Sequence, residues 1–174
     1  MNTGSSFPLA AIEVTADQSN DSLLTRIADR LVEAGIRVTG AVQSNRPQGP
    51  DCRCAMDLKI LPAGPMIPIS QALGKHARGC RLDTGQLENA VAFVERSLAS
   101  QPQMLILNKF GNREAEGKGF APVIGEALHA GIPVLIGLSR LNVDAMKTFC
   151  DGQFVSLEAN ETVILNWCDK LITQ

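Results

Sequence analysis

The stretch "MLILNKFGNREAEGKGF" (residues 104–120) runs from an apolar segment straight into a charged segment that contains three glycines. Four apolar residues precede Asn108 and Lys109, which is the pattern of a buried strand that ends at a polar turn. In open α/β sheets, ligands bind beyond the carboxyl ends of the strands. The stretch therefore predicts a strand over 103–108 whose carboxyl end opens into a site, and leaves open whether that site still performs chemistry.

Strand and helix patterns alternate on both sides of this stretch. Apolar or β-branched runs predict strands, at 7–14, 36–44, 103–108, 132–139 and 153–158. Apolar residues at helical spacing predict helices, at 22–35, 83–100, 120–131, 142–150 and 161–173. This alternation indicates an α/β fold in three layers, with a mostly parallel sheet between helices. At 174 residues, the chain is expected to form one domain, 1–174.

A proline-rich β segment interrupts the alternation. Residues 52–61, "CRCAMDLKIL", alternate between apolar and polar, and "PAGPMIPIS" contains three prolines. Alternation of apolar and polar residues is typical of a strand with one solvent-exposed face, and within sheets proline is largely confined to edge strands. The segment predicts a β-hairpin inserted at the edge of the sheet, over about 52–69.

The composition excludes several classes of function. A net charge of −2 argues against nucleic-acid binding, and no apolar run approaches the length of a membrane span. The first residues lack the basic and apolar regions of a signal peptide. The odd count of five cysteines argues against a disulfide framework, and Cys150 and Cys168, among apolar neighbours, are expected to be core residues. We therefore expect a cytoplasmic protein.

The carboxyl-end rule selects four segments, at 15–22, 43–46, 108–119 and 139–142. The first of these occupies the place of a phosphate-binding loop, which needs glycines, a lysine and a Ser or Thr. "TADQSNDS" (15–22) has neither glycine nor lysine, and Asp17 and Asp21 would repel a triphosphate. A helix that starts here still offers free N–H groups to an anion, whereas the alternative is that Asp21 simply caps it.

The order of elements resembles that of the small P-loop nucleoside triphosphatases. In that family a later strand ends in a pattern like "hhhDEhGxhE", and "LILNKFGNRE" (105–114) is similar to it. Asn108 stands where the family has a magnesium-linked Asp, and Lys109 stands where it has a catalytic Glu, whereas Gly111 and Glu114 match. The resemblance implies a P-loop-type fold without nucleotide hydrolysis, for which ATP and Mg²⁺ are not expected ligands.

Three further segments resemble an uncharacterised bacterial family related to those enzymes. They are "ISQALGKHARGCRLD" (69–83), "LNKFGNREAEGKG" (107–119) and "AGIPVLIGL" (130–138). Members of that family are commonly encoded beside genes for molybdate uptake and molybdenum enzymes. The resemblance implies an accessory role in molybdenum metabolism, with molybdate or a molybdenum-cofactor species as ligand, or a molybdenum-related protein as partner. A homodimer is also compatible with the sequence.

Basic residues crowd two of the predicted loops and predict a pocket for an oxyanion or a carboxylate. They are Lys109, Arg113 and Lys118 on one loop and Arg78 and Arg81 on another. The alternative is a set of solvated charges paired with Glu114, Glu116 or Asp83. We assign no catalytic residue, and the predicted ligand-binding residues are Ser19, Asn20, Ser22, Gln43, Arg81, Asp83, Asn108, Lys109 and Glu114.

Two other functions stay open at this point. A divergent nucleoside triphosphatase, or another nucleotide-binding enzyme, would use Glu114 with a base of another kind. A thiol-dependent metal carrier would use Cys80, which opens a helix among basic residues, together with Cys54. No standard zinc spacing accompanies these thiols.

Overall fold

A seven-stranded sheet organises the computed structural model, which describes residues 7–14, 21–46, 55–71 and 81–174. The order of its strands is β4-β3-β2-β7-β8-β1-β9. These strands are β1 (Leu9–Val14), β2 (Val38–Arg46), β3 (Ala55–Leu61), β4 (Met66–Pro68), β7 (Met104–Phe110), β8 (Val134–Ser139) and β9 (Val155–Leu157). Two further short strands, β5 (Ser70–Gln71) and β6 (Arg81–Leu82), pair with each other.

The sheet is parallel except at one edge. Strands β2, β7, β8, β1 and β9 run parallel to one another, whereas β3 is antiparallel to both β2 and β4. Strands β3 and β4 therefore form a hairpin at the edge of the sheet. This arrangement confirms the predicted α/β fold, with a mostly parallel sheet and an added edge hairpin.

Helices cover both faces of the sheet and enclose two apolar cores. The helices are α1 (Asp21–Glu33), α2 (Thr84–Leu98), α3 (Asn112–Ala115), α4 (Ala121–His129), α5 (Val143–Phe149) and α6 (Glu161–Ile172). Buried side chains of α1 and α6 belong to one core, and those of α2, α4 and α5 belong to the other. Alternate residues of β1 enter opposite cores, as the pleat of a central strand requires. Within the described ranges, no helix combines the length and apolar character needed to cross a bilayer.

Strand β7 continues two residues beyond the predicted end at residue 108. Leu107 pairs with Ile136 and Phe110 pairs with Leu138, so β7 has one more residue than β8 across this interval. That is the geometry of a β-bulge, which re-aims the side chains of the bulged strand. The strand continues because Phe110 is fully buried in the core. Asn108 and Lys109 are therefore part of the bulged strand rather than of the loop after it.

Strand β8 lies between β7 and β1, so its carboxyl end lies between the ends of those two strands. Neighbouring strands lie about 4.8 Å apart, so the ends of β1 and β7 are about 10 Å apart. Ser139, the last residue of β8, pairs with Val14 of β1. A 3₁₀ turn, Arg140–Asn142, follows directly and leads into α5. Any ligand that spans the edge from β7 to β1 must therefore pass over the end of β8.

Gly40 permits the close approach of β2 to β7. Its φ angle is +135°, a conformation that other residues rarely adopt. A Cβ atom added here would collide with the carbonyl oxygen of Ile106 in β7. We expect Gly40→Ala to lower the free energy of unfolding by about 2–4 kcal/mol, because backbone strain adds to overpacking. Urea denaturation of both proteins measures the difference.

Gly125→Ala is the matched control for this substitution. Gly125 lies in α4, and an added Cβ would meet no atom within 4 Å. Because alanine favours the helix over glycine, this change should stabilise the protein by up to about 1 kcal/mol. Equal effects of the two substitutions would contradict the close-approach explanation.

Candidate functional site at the carboxyl edge of the sheet

Asn108 of β7 and Gln43 of β2 are joined by two reciprocal hydrogen bonds. The backbone N–H of Gln43 donates to Oδ1 of Asn108 at 3.0 Å, and Nδ2 of Asn108 donates to Oε1 of Gln43 at 3.2 Å. The last residues paired between these strands are Ala41 and Leu107, so the side chain of Asn108 extends the contact beyond the backbone ladder. The structure thus brings together two of the predicted ligand-binding residues, in a contact that also has a clear structural role.

Glu114 holds the loop between β7 and α4 in place. Its Oε2 accepts a hydrogen bond from the backbone N–H of Gly111 at 2.9 Å, and its Oε1 accepts one from the N–H of Phe120 at 3.1 Å. The side chain is buried, with the residue 5% exposed. Gly119, at a φ of +57°, leaves the space that this carboxylate fills, since a Cβ atom there would collide with Oε1. Glu114 therefore serves as the hydrogen-bond acceptor for two backbone N–H groups, at the starts of α3 and α4.

The basic residues of this loop differ in their partners. An Nη atom of Arg113 lies 3.4 Å from a carboxylate oxygen of Glu88, and Nζ of Lys118 lies 3.6 Å from one of Glu116. These pairs support the solvated-charge interpretation for two of the three cations. Lys109 is exposed and has no carboxylate within 4.0 Å among the residues that the structure describes. It is the cation of the 108–120 loop that stays available to a ligand.

Asn142 connects the end of β8 to the end of β7, a contact that the sequence pattern did not indicate. Its Nδ2 donates to the carbonyl oxygen of Phe110 at 3.3 Å and to Oγ of Ser139 at 3.2 Å. The same turn carries Arg140, which is exposed. The carboxyl-end rule had selected 139–142 as a segment, but nothing in its composition distinguished Asn142 or Arg140.

The other predicted site residues are Asp83, at the start of α2, and residues whose side chains or whole structure lie outside the described part of the chain. Asp83 is the N-cap of α2, as predicted, and its Oδ1 accepts from the backbone N–H of Gln86 at 3.1 Å. The backbones of Ser22 and Arg81 belong to α1 and β6, but their side chains are not among those described. Outside the described residues altogether are Ser19, Asn20, Cys54, Arg78 and Cys80.

The two cysteines in the described ranges are structural. Cys168 is fully buried, and burial raises the pKa of its thiol to about 12. Cys150 is half-buried, donates to the carbonyl oxygen of Met146 at 3.0 Å, and has a pKa raised mainly by burial. A raised pKa suppresses the reactive thiolate. Among the described residues, no three His, Cys, Asp or Glu side chains form a group that could hold a metal ion.

The architecture defines the class of protein. The crystal structure of THEP1 from the hyperthermophile Aquifex aeolicus superposes with a TM-score of 0.68, over 95% of this chain and 99% of that one. Sequence identity is 16%, so this similarity concerns the fold. The chain thus has a P-loop-NTPase-like α/β fold.

Sequence similarity identifies the family. Residues 9–167 match the model of DUF2478, described as a protein of unknown function. The chain therefore belongs to the DUF2478 family. It is also 35% identical, over 159 residues, to the molybdenum import ATP-binding protein ModC 2 of Bradyrhizobium diazoefficiens. That alignment covers 91% of this chain and 18% of the relative, so most of the relative lies outside the similarity.

Replacing Glu114 by glutamine should destabilise the protein. The amide keeps one acceptor oxygen, but its NH₂ group would face a backbone N–H that donates to the carboxylate in the native protein. A buried donor without an acceptor costs about 1–3 kcal/mol. Urea denaturation at neutral pH measures the loss. In the control, Glu116→Gln removes an exposed ion pair and should change stability by about 0.5 kcal/mol or less. A loss no greater than in this control would contradict the role of Glu114.

The buried thiol of Cys168 should make stability fall at alkaline pH. Its pKa is about 12 in the native state, against 9.0 for the unperturbed thiol, so above pH 9 the unfolded chain loses this proton first. The free energy of unfolding should therefore fall by about 1.4 kcal/mol between about pH 8 and about pH 10 on account of this thiol. Urea denaturation at the two pH values tests this. Cys168→Ala should show a smaller fall, and an identical fall in both proteins would contradict the assignment.

Proposed function

We propose that this protein binds a small anion at the carboxyl edge of its sheet and does not hydrolyse nucleotides. The anion that we favour is molybdate or a molybdenum-cofactor species, and the role is accessory, in molybdenum metabolism. The observation that carries the proposal is which polar side chains at this edge are already bonded within the protein and which one is exposed. Asn108 and Glu114 bind to groups of the protein itself, whereas Lys109 points its charge into solvent.

The contacts of Asn108 and Glu114 argue against conventional hydrolysis. A metal-assisted or general-base mechanism needs carboxylates that are free to bind a cation or to accept a proton. Residue 108 is an amide, which carries no negative charge and is hydrogen-bonded to Gln43. Both oxygens of Glu114 accept from backbone N–H groups in a buried position. Neither side chain is therefore disposed to hold Mg²⁺ or to activate water.

Lys109 supplies the attraction for an anion. A lysine ammonium is a compact point charge with three donors, which suits the oxygens of a tetrahedral oxyanion. The 108–120 loop provides a fixed support, because Glu114 already binds the N–H groups of Gly111 and Phe120. The ε-carbon of Lys109 lies above Gly111, 3.6 Å from the position of an added Cβ. The lysine side chain therefore extends past this fixed loop while its charge stays exposed.

The link to molybdenum rests on the relative. The protein from Bradyrhizobium diazoefficiens that contains a similar segment is named for molybdenum import and ATP binding. Since the similarity covers 18% of that protein, the segment accompanies a much larger body of sequence in the same polypeptide. We propose that the present chain acts in the same context, in the cytoplasm, on the oxyanion itself or on a protein that handles it.

A divergent nucleotide hydrolase is the rival function, and the P-loop-NTPase-like fold is the observation in its favour. Purified protein incubated with ATP and Mg²⁺ should release no more phosphate than a buffer blank, as measured by a colorimetric phosphate assay. Asn108→Asp serves as a second sample, because it returns a carboxylate to the edge while Gln43 can still donate from its amide. Turnover of ATP by the unmodified chain would overturn the proposal.

Lys109→Gln should weaken molybdate binding about tenfold, because a hydrogen bond to a charged group is lost along with the charge. Isothermal titration with sodium molybdate measures the affinity. The control is Lys147→Gln, which removes an exposed lysine of α5 that lies 3.9 Å from Asp144. It should leave the affinity unchanged within about twofold, since exposed pairs contribute little. Equal losses in both variants would indicate nonspecific charge attraction and would contradict a site at Lys109.

A further inference from the structure

We infer that Arg140 is the second cationic ligand of this site, and that the site takes a tetrahedral dianion held between the ends of β7 and β8. The inference rests on the proposed function, since it adds a residue and a charge class to the same edge of the sheet. The juxtaposition that points to it is a bulge that carries Lys109 on one strand and a turn that carries Arg140 on the next.

The pairing of the strands places the two cations on neighbouring strands, Lys109 on β7 and Arg140 in the turn after β8. Leu138 pairs with Phe110 of β7, so the last residue of β8, Ser139, and the turn after it continue beyond the last ladder pair between β7 and β8. Adjacent strands lie about 4.8 Å apart. Lys109 precedes Phe110 by one residue and Arg140 follows Leu138 by two, so the two residues lie on either side of this last pair, offset by about 10 Å along the strand direction. Long lysine and arginine side chains can span such an offset to reach one anion.

Asn142 fixes the two segments with respect to each other. Its amide donates to the carbonyl oxygen of Phe110 at 3.3 Å and to the hydroxyl of Ser139 at 3.2 Å. The turn that carries Arg140 is therefore bonded to the strand that carries Lys109. Such a bond fixes the backbone segments from which the two basic side chains extend, and a fixed support favours selective recognition of an oxyanion.

The distribution of ion pairs singles out these two cations. Near this edge, Arg113 and Lys118 each have a carboxylate partner, at 3.4 and 3.6 Å. Arg140 and Lys109 are both exposed, and neither has a carboxylate within 4.0 Å in the described part of the chain. Leu141, the neighbour of Arg140, is 95% exposed, so the turn projects into solvent and its guanidinium is accessible.

The two charges match a dianion, and the two side chains differ in what they offer. An arginine presents two parallel N–H donors to two oxygens of one anion, whereas a lysine acts as a point charge. Molybdate and sulfate are both tetrahedral dianions, so both should bind through this pair. A monoanion such as nitrate or a carboxylate should bind more weakly, because it balances one of the two charges.

The test is titration of the purified full chain with sodium molybdate, with sulfate and nitrate as comparison anions. Arg140→Gln should weaken molybdate binding about tenfold. The affinity of Arg140→Lys should lie between that of Arg140→Gln and that of the unmodified chain, because lysine restores the charge but not the two parallel N–H donors of arginine. Arg96→Gln is the matched control, since Arg96 is an exposed arginine that stacks on Phe93 of α2, 4.9 Å from the ring centroid. It should leave the affinity unchanged. Thermal melts of all variants verify folding, which substitution of an exposed side chain should preserve.

Each outcome decides the matter. Loss of affinity in Arg140→Gln, with partial rescue in Arg140→Lys and a preference for dianions, supports the inference. If Lys109→Gln weakens binding and Arg140→Gln does not, Arg140 is not a ligand, although the proposed anion site stands. If the unmodified chain binds none of these anions, the proposed function fails and the inference fails with it.

Discussion

The carboxylate of Glu114 is the contact on which the candidate site depends. Between β7 and α4 the chain makes a short helix and a turn, and both elements expose backbone N–H groups that have no helical partner. A single buried side chain accepts from two of them, at Gly111 and Phe120. Gly119 is required next to it, because no larger residue leaves room for the carboxylate. Lys109 and its bulge therefore lead directly into a loop that is fixed by the protein itself.

Most of the fold could be predicted from the sequence, because the signals that define it are local. Buried strands such as β8 read as continuous apolar runs, and α2 begins at the capping residue that the sequence indicates, Asp83. The edge hairpin was visible from alternation and proline content. The predicted end of β7 was two residues too early, because Asn108 and Lys109 have the composition of a turn. The strand continues through them to bury Phe110, and this demand comes from tertiary packing.

The candidate site was less predictable, because its contacts join residues that are far apart in the chain. The pairing of Asn108 with Gln43 spans 65 residues, and that of Asn142 with Phe110 spans 32. Asn108, Gln43 and Asn142 are ordinary polar residues and Phe110 contributes only its backbone carbonyl, so neither spacing nor composition reveals these pairs. Whether a cation is available also depends on geometry, since Arg113 and Lys118 turn out to have carboxylate partners. The predicted roles of Ser19, Asn20, Cys54 and Cys80 fall outside the described residues and stay predictions.

The contacts of Glu114 also bear on the kinetics of binding. In many phosphate-binding proteins the backbone of the loop becomes ordered around the incoming anion, which slows association and lowers affinity by the entropy of ordering. Here an internal carboxylate already occupies the backbone donors at Gly111 and Phe120. The conformational entropy of this loop is therefore lost when the chain folds and not when a ligand arrives. We therefore expect the proposed anion to bind in a single encounter, without a closing step of this loop.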